Sequence, residues 1–408
     1  VQVGFEDFLS IFWGKTRHKV KQVYTKEHHN IPIEGVDKDA LYVIKKLQNA
    51  GHTAYLVGGS VRDLLMGVSP KDFDVSTSAR PEEIRGIFKN CYIIGRRFRL
   101  AHIRFDEKII EVSTFRSGDP ETEDLIVRDN EFGSPEEDAL RRDFTINGLY
   151  YDPSTETVID YVEGFEDANK RFLRAIGTPH VRFKQDPVRM IRLIKFQARF
   201  NLNVCPQAHR ALLDCKEEIL KSSPARVLEE LLRMLESGFS YPFFKQLCDG
   251  GMMQHLIPTL SAYCELAEKN VVFELLEIAD SVHKKSRSRF DRIVLLAILV
   301  FPIFERHIHI LQKGGSPFHL GRIENEAYFI IEEFFSPFLE IPKRIVGTLA
   351  MVLTGQFRIR PQTGKSVRIR LPRIPDFSLA VDFLYLESLY NPQLRSIYEP
   401  WKKALKKS

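Results

Sequence analysis

The sequence predicts an α/β head with a mixed sheet, followed by an all-α neck and body. Three observations point there. From Tyr55 to Ile176, short β-type runs alternate with short helices. Two of those runs are joined by the tight turn at Asp106-Glu107, which disfavours an all-parallel sheet. Beyond Thr178, apolar residues recur at helical spacing almost to the end. At 408 residues the chain is too long for one average core. The expected division is a leader over 1–35, the head over 36–176, a helical neck over 177–245 and a helical body over 246–408.

The leader places apolar residues at helical spacing, Phe5, Phe8, Leu9, Phe12 and Trp13, with Glu6 and Asp7 where a signal peptide would be positive. No export signal is expected, and the stretch is read as packing on the body, with docking on a partner or a membrane surface as the alternative. The pair His28-His29 reads as solvated. A helix is expected from Asp37 to Ala50, closed by Gly51. The β-type runs are Tyr55 to Val57, Asp72 to Val75, Tyr92 to Ile94, His102 to Phe105, Ile109 to Phe115, Val158 to Tyr161 and Arg171 to Ile176. Farther on, the apolar run Ile293 to Phe304 is broken by Pro302 and falls short of the roughly 20 residues of a membrane span, so a buried core helix is expected and no transmembrane segment. The five cysteines, Cys91, Cys205, Cys215, Cys248 and Cys264, have no zinc-ligand spacing and read as free thiols in a reducing, cytoplasmic setting. A net charge of +5 is too mild to imply a nucleic-acid partner by itself.

Four constellations carry chemistry. In the first, the run Leu56-Val57-Gly58-Gly59-Ser60-Val61-Arg62 is a strand, a Gly-Gly turn and a short helix. Gly58 and Gly59 let backbone N–H groups approach an anion, and Ser60 adds a hydroxyl. In the second, Pro70-Lys71-Asp72-Phe73-Asp74-Val75, strand alternation puts Asp72 and Asp74 on one face and Phe73 and Val75 in the core. Two carboxylates so placed repel unless a divalent cation lies between them. Glu111, inside the apolar strand Ile109 to Val112, is a candidate third carboxylate whose partner is a metal, Arg116 or Arg104.

The third constellation starts at Ser134, where Ser134 and Glu137 form a capping box, Pro135 suits the first helical position, and Asp143 and Asn147 stack at i, i+4. Arg141 and Arg142 fit triphosphate and ribose contacts. In the fourth, Gln185-Asp186-Pro187-Val188-Arg189, the residues Asp186, Arg189 and Arg192 share one helical face. A carboxylate and a guanidinium there match the donor and acceptor on adenine's pairing edge. An ordinary helix N-cap also explains Asp186.

Gly58-Gly59 with Arg62-Asp63, Asp72 with Asp74, Arg141-Arg142-Asp143-Phe144-Thr145-Ile146-Asn147 and Asp186-Pro187-Val188-Arg189, in this order, resemble the head and neck of the class II CCA-adding enzyme and bacterial poly(A) polymerase family, within the polymerase-β-like nucleotidyltransferases. The run from Ile93 to Ile103, with Gly95-Arg96-Arg97-Phe98, resembles the element that separates the poly(A) polymerases from their relatives. Asn90-Cys91 and Pro224-Ala225-Arg226 match as well. The resemblance implies Asp72 and Asp74 as ligands of two Mg²⁺ ions, with Mn²⁺ as an alternative, and Asp143 as completing the catalytic set. It implies triphosphate contacts from Gly59 and Arg62, and nucleotide binding by Arg142, Arg189 and Arg192. The implied reaction is transfer of AMP from ATP to RNA 3′ ends, with no DNA partner. CCA addition to tRNA and an RNA-binding protein with an inactive head are the alternatives. One departure is Gln185, where the family usually has Glu. Finally, the acid-free segment 356–373, with Arg358, Arg360, Lys365, Arg368, Arg370 and Arg373, is expected to meet an RNA backbone, a solvated face being the alternative, and the lysines after Trp401 either extend that track or form a soluble tail.

Overall fold

The computed structural model describes residues 21–95, 99–106, 108–118, 131–266, 270–286, 289–313, 319–360 and 369–406. By packing, the chain divides into two units. One holds the residues up to Gln185 with Asn203–His209, and the other holds Asp186–Leu202 with Arg210–Ser408.

In the first unit the strands are β1 (Gln22–Tyr24), β2 (Ala54–Val57), β3 (Asp74–Thr77), β4 (Cys91–Ile94), β5 (Leu100–Phe105), β6 (Lys108–Thr114), β7 (Leu149–Asp152), β8 (Thr157–Asp160), β9 (Phe172–Leu173) and, from the returning segment, β10 (Asn203–Val204). Eight form one mixed sheet in the order β1-β8-β7-β2-β3-β6-β5-β4, with β3 and β6 parallel and the other neighbours antiparallel. Helix α1 (Lys38–Asn49) packs its buried stripe of Ala40, Val43, Ile44 and Leu47 into the same core as Leu56, Val75, Ile103 and Val112. Asp37 caps it by accepting from the N–H groups of Asp39 and Ala40. Each fully buried aliphatic side chain of this core contributes about 1.5–3 kcal/mol.

The mixed sheet and the β5–β6 hairpin stand as expected, with Asp106 at φ 38° in the turn. Several elements differ. β7, buried in the middle of the sheet, and the edge strand β1 were not anticipated; β7 follows directly on a 3-10 turn and shows no alternation to reveal it. The segment at Arg171–Ile176 gives only β9, which pairs with β10 in a separate two-stranded sheet. β3 begins at Asp74, so Asp72 lies in the irregular segment before the strand. His28 is exposed, but His29 is buried, its ring nitrogens meeting the Glu156 carbonyl at 2.9 Å and the Ile31 N–H at 3.0 Å. Cys91, Cys205 and Cys215 are buried free thiols, and Cys248 and Cys264 are half-buried.

Around the functional residues of the first unit lie α2 (Gly59–Leu65), α3 (Pro135–Leu140) and α4 (Pro179–Gln185). The second unit is helical. It opens with α5 (Val188–Phe200) and α6 (Pro224–Leu235), and its later helices include α7 (Arg292–Lys313), α8 (Lys343–Ile359), α9 (Ser378–Tyr390) and α10 (Arg395–Leu405). α7 runs on through Pro302 instead of stopping there. It is long and apolar enough to cross a membrane by length and composition, but the run from Ile293 to Phe301, with Phe304 and Ile308, is buried within the unit. The N-terminal amphipathic stretch lies outside the described residues.

Candidate active site

Asp74 stands at the start of β3, opposite Val57, the residue that leads into the Gly58-Gly59 turn. On its other side runs β6, in register Val75 with Val112, which sets Glu111 beside Asp74. Asp72, although outside the strand, is close enough for its charge to act on Asp74. The Asp74 carboxyl is pushed up to about 6, first by desolvation and then by Glu111 and Asp72, while Arg142 pulls it down. The residue still opens to solvent, so the desolvation comes from protein around its sides and not from enclosure. Phe73 packs against the core and Val75 is fully buried, as alternation requires.

Glu111 is not a charge stranded among apolar groups. Its carboxylate is half-exposed and pairs with His102 of the neighbouring strand at 3.3 Å, so the partner is neither Arg104 nor Arg116. The sequence hid this because His102 becomes its neighbour only through the hairpin register.

Gly58 has φ +69°, and a Cβ there would come within 3.1 Å of Arg142 Nη1. Glycine is therefore needed for both the backbone and the guanidinium. Arg142 donates to Asp138 through Nη2 at 2.8 Å and through Nε at 3.2 Å, and it lies over the Tyr150 ring, 5.6 Å from its centroid. Arg141 Nε donates to the other Asp138 oxygen at 3.0 Å, and the Tyr150 hydroxyl donates to Asp138 at 2.9 Å. Burial alone would raise the Asp138 carboxyl, but Arg142 and Arg141 outweigh it and hold the group at about 2. Asp138 belongs to none of the four sequence constellations' functional sets. Its signal was there, since it precedes the two arginines by three and four residues on a capped helix.

The capping box is present, Glu137 N–H donating to Ser134 Oγ and Ser134 N–H to Glu137. α3 stops at Leu140, however, so Asp143 and Asn147 do not meet as a helical i, i+4 pair. They meet through a 3-10 turn, where Asn147 Nδ2 donates to Asp143 at 3.0 Å. Asn147 in turn accepts from Arg62 Nη1 at 2.6 Å, and Arg62 also donates to Asp63. Arg62 and Asp143 are both buried, and these contacts make them a brace under the Gly58-Gly59 turn. Ser60 is buried too, with its hydroxyl donating to the Val57 carbonyl at 3.1 Å.

A further brace is Arg182 of α4, which is almost wholly buried. Its Nη2 donates to the carbonyls of Arg141 and Arg142, both at 2.7 Å, and its Nη1 donates to Gln185 at 2.9 Å. Gln185, the departure from the family pattern, is thus a buried acceptor for Arg182.

In the second unit, Asp186 precedes α5 and supplies no side-chain cap; Pro187 occupies that position. Its carboxylate instead pairs with Arg226 of α6 at 3.0 Å. Arg189 is buried on α5 and Arg192 is half-buried, while Lys195 pairs with Glu230 at 2.7 Å. Of the C-terminal basic residues, Arg358, Arg370 and Arg373 are exposed, and Lys365 and Arg368 lie outside the described residues. Arg360 is a correction: it is committed to Glu305 at 2.9 Å and to Glu387, against the Phe301 ring, and is not presented to a phosphate backbone.

Among the described residues, no three His, Cys, Asp or Glu side chains form a ready-made metal cage. Two mutually repelling carboxylates open to solvent suit a hard cation that completes its shell with substrate phosphates.

The family model for the poly A polymerase head domain matches residues 54–174, and the model for the probable RNA and SrmB-binding site of polymerase A matches 201–264. The chain is 35% identical over 398 residues to poly(A) polymerase I of Salmonella typhimurium, covering 93% of this chain and 84% of that protein. The CCA-adding enzyme of Lactobacillus gasseri is 34% identical over 219 residues, 53% of this chain and 54% of that protein. Among solved structures, the Bacillus stearothermophilus CCA-adding enzyme in complex with CTP superposes with a TM-score of 0.64 at 22% identity, covering 90% of this chain and 81% of that one.

Proposed function

The chain belongs to the family of bacterial poly(A) polymerases and CCA-adding enzymes, which are RNA nucleotidyltransferases, and within it we propose that this enzyme adds AMP from ATP to RNA 3′ ends. One observation carries the choice: sequence likeness to poly(A) polymerases extends over 93% of the chain, and sequence likeness to the CCA-adding enzyme of Lactobacillus gasseri over about half of it.

In the reaction, the 3′-hydroxyl oxygen of the RNA forms a bond to the α-phosphorus of ATP, the bond from that phosphorus to the bridging oxygen breaks, and pyrophosphate leaves. Divalent ions, Mg²⁺ or Mn²⁺, would be held by Asp72 and Asp74 with Glu111 adjacent, and would supply activation of the hydroxyl and stabilisation of the leaving charge in the manner of two-metal sites. The rest falls to the chain's own residues. Arg142, kept charged by Asp138, offers a guanidinium beside the Gly58 turn for the triphosphate. Arg62, Asn147 and Asp143 hold that turn in shape. The family resemblance assigns adenine recognition to Asp186 and Arg189, and Arg226 joins them as the residue that holds the Asp186 carboxylate. Arg358, Arg370 and Arg373 remain for the RNA backbone.

The test uses the purified chain with Mg²⁺, an oligo(A) primer or a tRNA lacking its CCA end, and each nucleoside triphosphate separately. Long tails made from ATP alone are expected. Addition of only C, C and A, confined to the tRNA, would assign the chain to its CCA-adding relatives. Asp74→Ala is expected to lower addition by about a hundredfold to a thousandfold, as for other removed electrostatic groups, with the fold retained. Near-normal turnover of that variant in Mg²⁺ would remove Asp74 from the metal site.

A further inference from the structure

The sheet order divides the surroundings of Asp74 into two sides. On the β2 and β7 side stand the Gly58 turn and Arg142, the groups suited to a triphosphate, with the buried Tyr150 ring against Arg142. On the other side run β6, β5 and β4, and they carry a row of residues in lateral register. Glu111 stands beside Asp74, His102 pairs with Glu111, and Tyr92 pairs with His102. Residues directly opposite across neighbouring strands share a face, so this row lies on the face that carries Asp74. Three strand spacings put Tyr92 about 14 Å from Asp74.

That face is open. Tyr92 is 55% exposed on the last strand of the sheet, and Ile94 and Ile109 are exposed near it. Arg104, on the same face of β5, lies over the Tyr92 ring at 5.0 Å. An exposed aromatic ring backed by a guanidinium, with apolar neighbours, is suited to base stacking and to a polyanion, and single strands are held by that combination. The transfer needs two substrates at Asp74. With triphosphate groups on one side, the β6-β5-β4 side is continuous with the carboxylates and, among the described residues, carries no such groups.

We propose that the solvent face of β6, β5 and β4, from Glu111 through His102 to Tyr92, is the docking surface for the 3′-terminal nucleotides of the RNA primer, with a base stacked on Tyr92 beside Arg104. This rests on the reading of the chain as an enzyme that extends RNA. It places the terminal ribose at Asp74 and the preceding nucleotides outward across the strands. It also gives the His102–Glu111 pair a place under the primer end, between the metal site and the stacking ring.

The experiment measures KM for oligo(A) and for ATP with the full chain, its Tyr92→Ala and Tyr92→Phe variants and an Arg104→Ala variant. Equilibrium binding of a fluorescent oligo(A) is measured alongside. Tyr92→Ala is expected to raise the primer KM about tenfold more than the ATP KM, the effect of one lost base–aromatic stack. Tyr92→Phe keeps the ring and is expected to restore primer affinity, which a merely structural role of the hydroxyl would not allow. Arg104→Ala is expected to weaken the primer in the same sense and serves if Tyr92→Ala fails to fold. If wild type extends oligo(A) and the ring and guanidinium variants leave primer KM unchanged, the docking surface is wrong and the functional reading stands. If wild type extends no RNA, the functional reading falls, and the binding arm still decides whether this face holds RNA.

Discussion

Two buried clusters, one in each unit, are built from the same parts and titrate in opposite directions. In the head, the Asp138 carboxylate faces two guanidinium groups, and one of them, Arg142, lies over Tyr150. In the helical unit, the Arg360 guanidinium faces two carboxylates, Glu305 and Glu387, and lies over Phe301. Burial raises both acids to begin with. Two arginines reverse it for Asp138, which is held at about 2. One shared arginine does not reverse it for Glu387, which stays at about 7, with Glu305 adding to the rise. Arg142 therefore stays charged in the head cluster, and its charge acts on Asp74. The other cluster has a surplus negative charge that a proton can remove.

The sharpest way to break this comparison is Asp138→Asn. It removes the buried carboxylate that Arg142 relies on for its charge pairing and is expected to destabilise the head by about 3–5 kcal/mol. The KM for ATP should rise tenfold or more as Arg142 loses its orientation. The sign of the pH effect follows from the depressed carboxyl: its contribution is present above the ordinary aspartate range and is lost as pH falls toward about 2. Thermal melts of wild type and variant should therefore converge below pH 4. A constant gap would mean that the charge of Asp138 does not matter.

A smaller effect is expected from Arg182→Lys. An ammonium retains the charge but loses the planar fork that joins the Arg141 and Arg142 carbonyls to Gln185. Losing about one net hydrogen bond should raise the KM for ATP and CTP alike by roughly threefold to tenfold. An unchanged KM with a lowered melting temperature would make α4 a strut for the fold and not for the nucleotide site.

The smallest effect near neutral pH belongs to Glu387→Gln. Because the folded-state carboxyl is raised to about 7, its stabilising protonation is complete below the ordinary glutamate range and is lost as pH rises through 7. Wild type should lose stability relative to the variant between pH 5 and 8, with activity on saturating substrates little changed. Melting curves whose difference stays flat across that range would show that Glu387 does not titrate there, and the contrast with Asp138 would fail.

Much of the head was legible because its signals are local. The helix beginning about Asp37, the Ser134–Glu137 box, the Gly58-Gly59 turn and the alternation of Phe73 and Val75 depend on residues a few positions apart. Strand and helix periods and capping act over that range, so the sequence states them directly. Where a local rule failed, a nearby competitor won: the 3-10 turn took Asn147 to Asp143 without a helix, and α7 continued through Pro302 because the packing of its apolar face outweighs one lost hydrogen bond.

What the sequence by itself determined is the set of groups: the Asp72–Asp74 pair, the glycine turn, the arginines after α3 and the alternation of a mixed sheet with a helical remainder. Which groups meet was decided only in three dimensions. Glu111 reaches Asp74 because β6 runs parallel beside β3, and it finds His102 through the hairpin register. Asp186 takes Arg226 from 40 residues away, and Arg360 leaves the basic track for Glu305 and Glu387. The physical reason is that charge and hydrogen-bond partners are fixed by strand order and helix packing, which bring together residues that no local period relates, and burial then sets how strongly each pair holds its charge.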